Sequence, residues 1–196
     1  MPCWRIEKSL WKKGFRYVAG IDEAGRGPIA GPVFAAAVIF EAPVQCREID
    51  DCKRLKPAER EKAYEFIKKN SFWSVGIADE EEIKVLNILG ATKLAMKRAI
   101  LALPVEPDAV IIDGNMKLET GIFEMAIIKG DRKSMSIASA SIIAKVERDK
   151  YMERLDRICP GYLFAKHKGY PTKEHRRILS LLGPSPYHRS NFRLFK

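Results

Sequence analysis

Asp22 and Glu23 stand side by side at the end of an apolar run in "GIDEAGRGPIAGPV", Gly20 to Val33, and Gly25-Arg26-Gly27 follows at once. Adjacent carboxylates repel each other and resist burial, because both effects disfavour the ionised form. Two further apolar runs end in acids: "DAVIID" closes on Asp113 and "EMAIIKGD" closes on Asp131. If these runs are neighbouring strands, four carboxylates meet at one edge of a sheet. Divalent cations resolve that conflict, and Mg²⁺ and Mn²⁺ favour carboxylate oxygens while keeping several waters. Two such ions about 4 Å apart can clamp a phosphodiester, one activating water and the other stabilising the leaving oxygen.

The glycines around Arg26 suit a tight connection at positive φ. They also suit a backbone surface that a ligand approaches closely, with Arg26 available for a phosphate. "GRGPIA" has the letters of a dinucleotide-binding turn, but Pro28 and the β-rich "VFAAAVIF" argue against the helix that turn requires. No Gly-Lys-Ser/Thr follows, which excludes a P-loop. His167, His175 and His188 form no metal-binding pair at helical spacing and read as surface or nucleic-acid-facing groups. Arg148 and Asp149, inside a long helical stretch, read as structural, so Asp149 stays outside the acid set.

The elements that must hold the acids follow from pattern. Residues 15–22, 33–40, 72–78, 108–113 and 124–131 read as strands, the second being apolar throughout as in a strand buried on both faces. Residues 57–70, 79–89, 91–103, 134–159 and 172–182 read as helices, the last closed by Gly183. Trp4, Ile6, Leu10 and Trp11 suit a short opening helix. Three early strands suggest an antiparallel meander, and later strands reached through helices suggest parallel additions. The expected fold is α/β, a mixed five-stranded sheet flanked by helices. Residues 1–150 would form the catalytic domain, and 151–196 a basic helical substrate-binding extension packed on it.

The chain has 196 residues, 46% of them hydrophobic, and a net charge of +10. A packed core is expected, with a polyanionic partner. Residues 151–196 carry ten Lys/Arg against three Asp/Glu, interleaved with Tyr162, Phe164, Tyr170, Tyr187 and Phe192. Cations hold phosphates and aromatics stack on bases or sugars, so this mixture favours nucleic acid. No stretch approaches the roughly 20 apolar residues of a bilayer span, and "MPCWRIEKSLWKKGF" lacks a signal-peptide core. Cys3, Cys46, Cys52 and Cys159 show no C-x-x-C spacing, which points to a reduced, cytoplasmic compartment without zinc. One Gln and four Asn hint at a heat-adapted source.

"VAGIDEAGRGPIAGPVFAAAVI" resembles the N-terminal signature of bacterial ribonuclease HII, in the ribonuclease H-like superfamily. The likeness continues in family order through "DDCKRLKPAER", "EEEIKVLNILGATKLAMKRAI", "IIDGN", "KGDRKSMSIASASIIAKVERD", "HKGYPTKEH" and "GPSPYHRSNF". The resemblance implies a ribonuclease H-like fold with a C-terminal helical extension. It also implies Mg²⁺- or Mn²⁺-dependent cleavage of RNA in RNA–DNA hybrids and nicking 5′ to single ribonucleotides in duplex DNA. By motif position, Asp22, Glu23, Asp113 and Asp131 match the catalytic, metal-binding acids. Gly25, Arg26 and Gly27 match the loop that reads the ribose 2′-OH, and Tyr170 matches the tyrosine that stacks on the adjacent deoxyribose. Lys53 lies in a motif that contacts phosphate. The 2′-OH alone distinguishes a ribonucleotide from its DNA neighbours, so such a site reads a junction rather than a base sequence.

Two departures from the family pattern are Cys52, where Ser is usual, and Asn191, where Ser is common. "NFRLFK" has two aromatics and no obvious clamp-binding motif. The partners expected are RNA–DNA hybrids and ribonucleotide-containing duplex DNA, with no membrane, acted on by a monomer. The rivals are a two-metal nuclease confined to long hybrids and a nucleic-acid-binding module with an inert acid cluster.

Overall fold

A computed structural model describes residues 1–45, 49, 52 and 55–195. Five strands form one sheet: β1 (Val18–Ala24), β2 (Val33–Ile39), β3 (Phe72–Ala78), β4 (Ala109–Asp113) and β5 (Phe123–Ile127), in the spatial order β3-β2-β1-β4-β5. β1, β2 and β3 are antiparallel neighbours, while β4 joins β1 and β5 joins β4 in parallel. The expected meander with parallel additions is therefore present. The helices are α1 (Arg5–Trp11), α2 (Pro57–Asn70), α3 (Glu80–Leu101), α4 (Met135–Ile158), α5 (Phe164–His167) and α6 (Lys173–Leu182).

β1 is the central strand. Every residue from Val18 to Asp22 is buried, so the strand is covered on both faces. On one face Ala19, Ile21, Ala35 and Ala37 pack against Ala91, Ala95, Met96 and Ala99 of α3. On the other, Ala36 and Val38 pack against α2 and α4. α4 lies directly on the strand backbone: a Cβ at Gly20 would overlap the main chain of Ser136 and Ile137. Small residues along α4 permit that approach. Ser134 caps the helix by accepting the Ile137 N–H at 3.1 Å, which satisfies one of its orphan donors.

Three boundaries differ from expectation. β1 begins three residues later and ends two residues later than 15–22, which puts Asp22 and Glu23 inside the strand. β5 stops at Ile127, so Asp131 is not at a strand end; it lies in a 3-10 turn, Gly130–Arg132, entered through Lys129 at φ 55°. The helices expected over 79–89 and 91–103 are one element, α3, broken at Asn87, whose φ of 57° is non-helical. The Asn87 side chain accepts the N–H groups of Leu89 and Gly90 and so caps the second half. α4 runs uninterrupted through residue 150. No helix among the described residues is long and apolar enough to cross a membrane.

Gly20→Ala is expected to destabilise the protein by roughly 1–3 kcal/mol, because the added methyl separates α4 from β1. Urea denaturation measures the change.

Candidate active site

The parallel register of β1 and β4 builds the centre. Ile21 pairs with Ile112, so the next residue along each strand is an acid, Asp22 and Asp113. Side chains two residues apart share a face, so Asp22 shares that of Gly20 and meets α4. There the Ser141 hydroxyl donates to its carboxylate, and Asp22 Oδ1 also accepts the Glu23 N–H at 2.7 Å. Asp113 Oδ1 accepts the Gly130 N–H at 2.6 Å, which ties β4 to the 3-10 turn.

Asp22, Glu23 and Asp113 line one cleft of about 300 Å³. Its wall also carries Gly25 to Gly27, Cys52, Arg60, Ser141, Lys145 and Tyr170. Asp131 is buried and follows the glycine whose amide holds Asp113, but it is not on the cleft wall. Three of the four expected acids therefore share the cleft surface, and Asp131 is the residue after the glycine whose amide holds Asp113. Lys53 lies outside the described residues. Asp149 is engaged by Lys145 at 2.8 Å and Arg60 at 3.8 Å, and it leaves both cations on the cleft wall.

Burial pushes the Asp22 carboxyl well above its ordinary value, and repulsion from Glu23 and Asp113 adds to this. Burial also raises Glu23, against the opposing pull of Arg26, whose Nη1 lies 3.1 Å from Glu23 Oε1. The second oxygen of Glu23, Oε2, is buried and has no hydrogen-bond partner. An orphaned carboxylate oxygen among repelling acids fits a hard divalent cation in both charge and donor chemistry. Among the described residues no three His, Cys, Asp or Glu side chains are placed to chelate one ion together. An ion here would draw on one or two carboxylates and fill its shell with water, as Mg²⁺ does.

Behind the glycine loop are two buried arginines that the sequence reading did not assign to the site. Arg189 donates from Nε to Gly31 O at 2.8 Å, from Nη1 to Pro28 O at 2.7 Å and Arg26 O at 3.3 Å, and from Nη2 to Gly25 O at 2.7 Å. Arg148 donates to Pro32 O at 3.0 Å, Ala30 O at 3.2 Å and Lys168 O at 2.9 Å. Gly25, at φ 101°, has no room for a Cβ, which would strike Arg148 and Pro32 O. Burial depresses Arg189 to about 9, with neighbouring Arg148 contributing; the group remains charged at neutral pH. Because the carbonyls at 25, 26 and 28 turn inward, the loop is left chiefly N–H groups to offer a ligand. Arg148 had a signal in sequence: Ser141, Ala144, Arg148, Met152 and Leu155 recur at helical spacing and are all buried. Arg189, in an irregular segment, had none.

Tyr170 is 42% exposed at the cleft rim, and its ring would lie 3.6 Å from a Cβ at Gly27. Cys52 Sγ is 3.2 Å from Ser141 Oγ, so the departure from Ser places sulfur beside the hydroxyl that supports Asp22. Asn191 instead donates to Ile83 O at 3.1 Å and fastens the C-terminal segment to α3.

The family model described as Ribonuclease HII matches residues 19–195. The chain belongs to the ribonuclease HII family. It is 48% identical over 190 residues to the ribonuclease HII of Caldicellulosiruptor saccharolyticus, covering 96% of this chain and 93% of that one. Its structure is similar to that of the Archaeoglobus fulgidus ribonuclease HII in the PCNA:RNase HII complex, with a TM-score of 0.78 and 28% identity over 92% of this chain and 96% of that chain. Bst-RNase HIII in complex with Mn²⁺ shares the fold, with a TM-score of 0.64 and 23% identity over 85% of this chain and 63% of that chain. Membership makes the protein a divalent-metal-dependent hydrolase, a type 2 ribonuclease H that cleaves RNA in RNA–DNA hybrids.

Two outcomes are expected from this geometry. A carboxyl whose folded pKa lies above its unfolded value lets the native state hold more protons, so stability falls as pH rises from the ordinary Asp value of 3.8 through the raised one. In EDTA at mildly alkaline pH, Asp22→Asn should therefore raise the melting temperature. Arg189→Lys should lower stability by about 3 kcal/mol, because an ammonium cannot span four carbonyls and orphaned buried acceptors are costly; urea denaturation reads the loss.

Proposed function

We propose that the cleft nicks duplex DNA on the 5′ side of a single embedded ribonucleotide, as well as cutting longer hybrids, and leaves 5′-phosphate and 3′-OH ends. The carrying observation is that Asp22, Glu23 and Asp113 share one cleft wall with Gly25, Arg26, Gly27 and Tyr170. Hydrolytic groups and sugar-reading groups are then within reach of one dinucleotide step.

Asp22, Glu23 and Asp113, together with Asp131, would hold a pair of Mg²⁺ or Mn²⁺ ions. When bound, such a pair supplies Lewis acidity at the scissile phosphate and a nucleophilic water. The protein's own groups do the rest. Ser141 and the Glu23 amide fix Asp22, and the Gly130 amide fixes Asp113. Arg26, Arg60 and Lys145 offset phosphate charge along the wall, with Lys53 proposed as a further phosphate contact. Amides of the glycine loop would donate to the ribose 2′-OH, which serves as a handle and not as the nucleophile. Tyr170 would pack on the neighbouring deoxyribose, where an extra hydroxyl would clash. The basic segment from 151 to 196 would carry the flanking duplex, with the enzyme acting as a monomer in the cytoplasm.

A duplex containing one ribonucleotide, incubated with Mg²⁺, should be cut 5′ to that nucleotide, and EDTA should stop it. Asp22→Asn should abolish turnover while retaining binding, and Tyr170→Ala should lower the preference for the single ribonucleotide over a continuous hybrid. Cutting of continuous hybrids alone by the unaltered protein would overturn the junction reading. Retardation on a gel without any cutting would overturn the assigned chemistry of the site.

A further inference from the structure

His167, His175 and His188 form one buried group beneath Tyr170, although the sequence suggested exposed positions; they are 7%, 0% and 6% exposed. The rings of His167 and His175 stack with centroids 3.9 Å apart and planes 15° from parallel. Phe164, fully buried, lies against all three.

Their hydrogen bonds fix every proton. The Ser185 N–H donates to His188 Nδ1 at 2.9 Å, so a neutral His188 carries its proton on Nε2. That nitrogen is 3.0 Å from His175 Nε2, which must therefore be bare. His175 then carries its proton on Nδ1, 2.9 Å from Tyr170 O, an obligate acceptor. The two ends of this chain, a backbone donor and a backbone acceptor, demand the same assignment independently. His167 follows the same logic: Nδ1 accepts the Gly169 N–H at 3.2 Å and Nε2 donates to Tyr162 O at 2.7 Å. The Tyr170 N–H donates to His167 O at 2.9 Å.

The Tyr170 carbonyl is thus shared between the His175 ring and the Thr172 N–H, which donates to it at 2.8 Å, while the Tyr170 N–H ends on the backbone of His167. The tether matters because the two residues before Tyr170, Lys168 and Gly169, are left-handed at φ 52° and 80°. The same stretch meets the glycine loop, since Ile29 N–H donates to Gly169 O at 2.9 Å. The next residue after His188 is Arg189, which clamps the carbonyls of that loop.

We propose that His167, His175 and His188 are positioning residues for sugar discrimination: a neutral relay with one proton per ring that holds Tyr170 against the glycine loop. The inference rests on the role given to Tyr170 above. A second proton between His175 and His188 would break the chain. Burial guards against this by depressing both to about 4.

Nitrogen-15 NMR of the unaltered protein at neutral pH tests the relay directly. His175 should be the Nδ1–H tautomer, with His167 and His188 as Nε2–H. A His175 found as Nε2–H or as imidazolium overturns it. Kinetics test the role, using a duplex with one ribonucleotide and a continuous hybrid, both in Mg²⁺. His175→Ala should lower the ratio of kcat/KM for the first over the second by about fivefold or more. His175→Asn should recover most of the ratio, because its amide nitrogen stands where Nδ1 stood. An unchanged ratio, or equal loss on both substrates without recovery in His175→Asn, overturns the positioning role. Tyr170→Ala run alongside separates the two levels: if it shifts the ratio and His175→Ala does not, the relay inference alone fails. If Tyr170→Ala leaves the ratio unchanged, the reading of Tyr170 itself is at fault.

Discussion

Like charges held on neighbouring hydrogen-bonded strands cannot relax apart. Asp22 and Asp113 stand level on neighbouring parallel strands, each following a paired isoleucine, and Glu23 shares a peptide bond with Asp22. Surface carboxylates would swing away from one another into water, but these are fixed by the sheet, by Ser141 and by the Gly130 amide. The strain has two outlets, protonation or a cation. Burial and repulsion raise the Asp22 carboxyl, which favours the first, and the unpartnered Glu23 Oε2 suits the second. The rest of the core serves this constraint: alanines on β1, β2 and α4, together with Gly20, bring the layers close enough to keep the acids from turning.

A second layer of organisation surrounds the first. Two buried guanidiniums gather seven carbonyls from the segments at residues 25–32 and 168, and neutral histidines hold the turn at Tyr170. Planar, fork-shaped donors suit this task, because an irregular loop offers many carbonyls and no ladder to pair them. The acids therefore sit on regular strands, whereas the groups proposed to read sugar sit on loops made rigid by buried polar side chains. Chemistry and selectivity have separate supports in the same cleft.

The strand pattern was legible because apolar runs over 33–40, 72–78 and 108–113 leave little alternative, and "IID" followed by a glycine gave Asp113 its level on the sheet. That β4 adds in parallel was legible from the helices before it, but its partner was not, and β5 is parallel with no helix between it and β4. The exact frame was not. Asp131 follows "AIIK", which reads as more strand, yet the chain turns left-handed at Lys129 and leaves the sheet. Asn87 looks like ordinary helix surface until its side chain is seen capping the residues after it. Arg189 and the histidines were beyond reach for a different reason: their partners are backbone atoms distant in sequence, and nothing in a side chain's type announces which carbonyl it will find.

The span of the Arg189 clamp carries a consequence for biogenesis. Gly25 and the guanidinium that shapes it are 164 positions apart. Loop closure over such a span is slow to be rewarded in folding. On the ribosome, the acid-bearing strands emerge long before the residue that gives the glycine loop its shape. A nascent chain can assemble much of the sheet and still lack the finished sugar-reading surface, so synthesis itself delays competence until Arg189 has emerged.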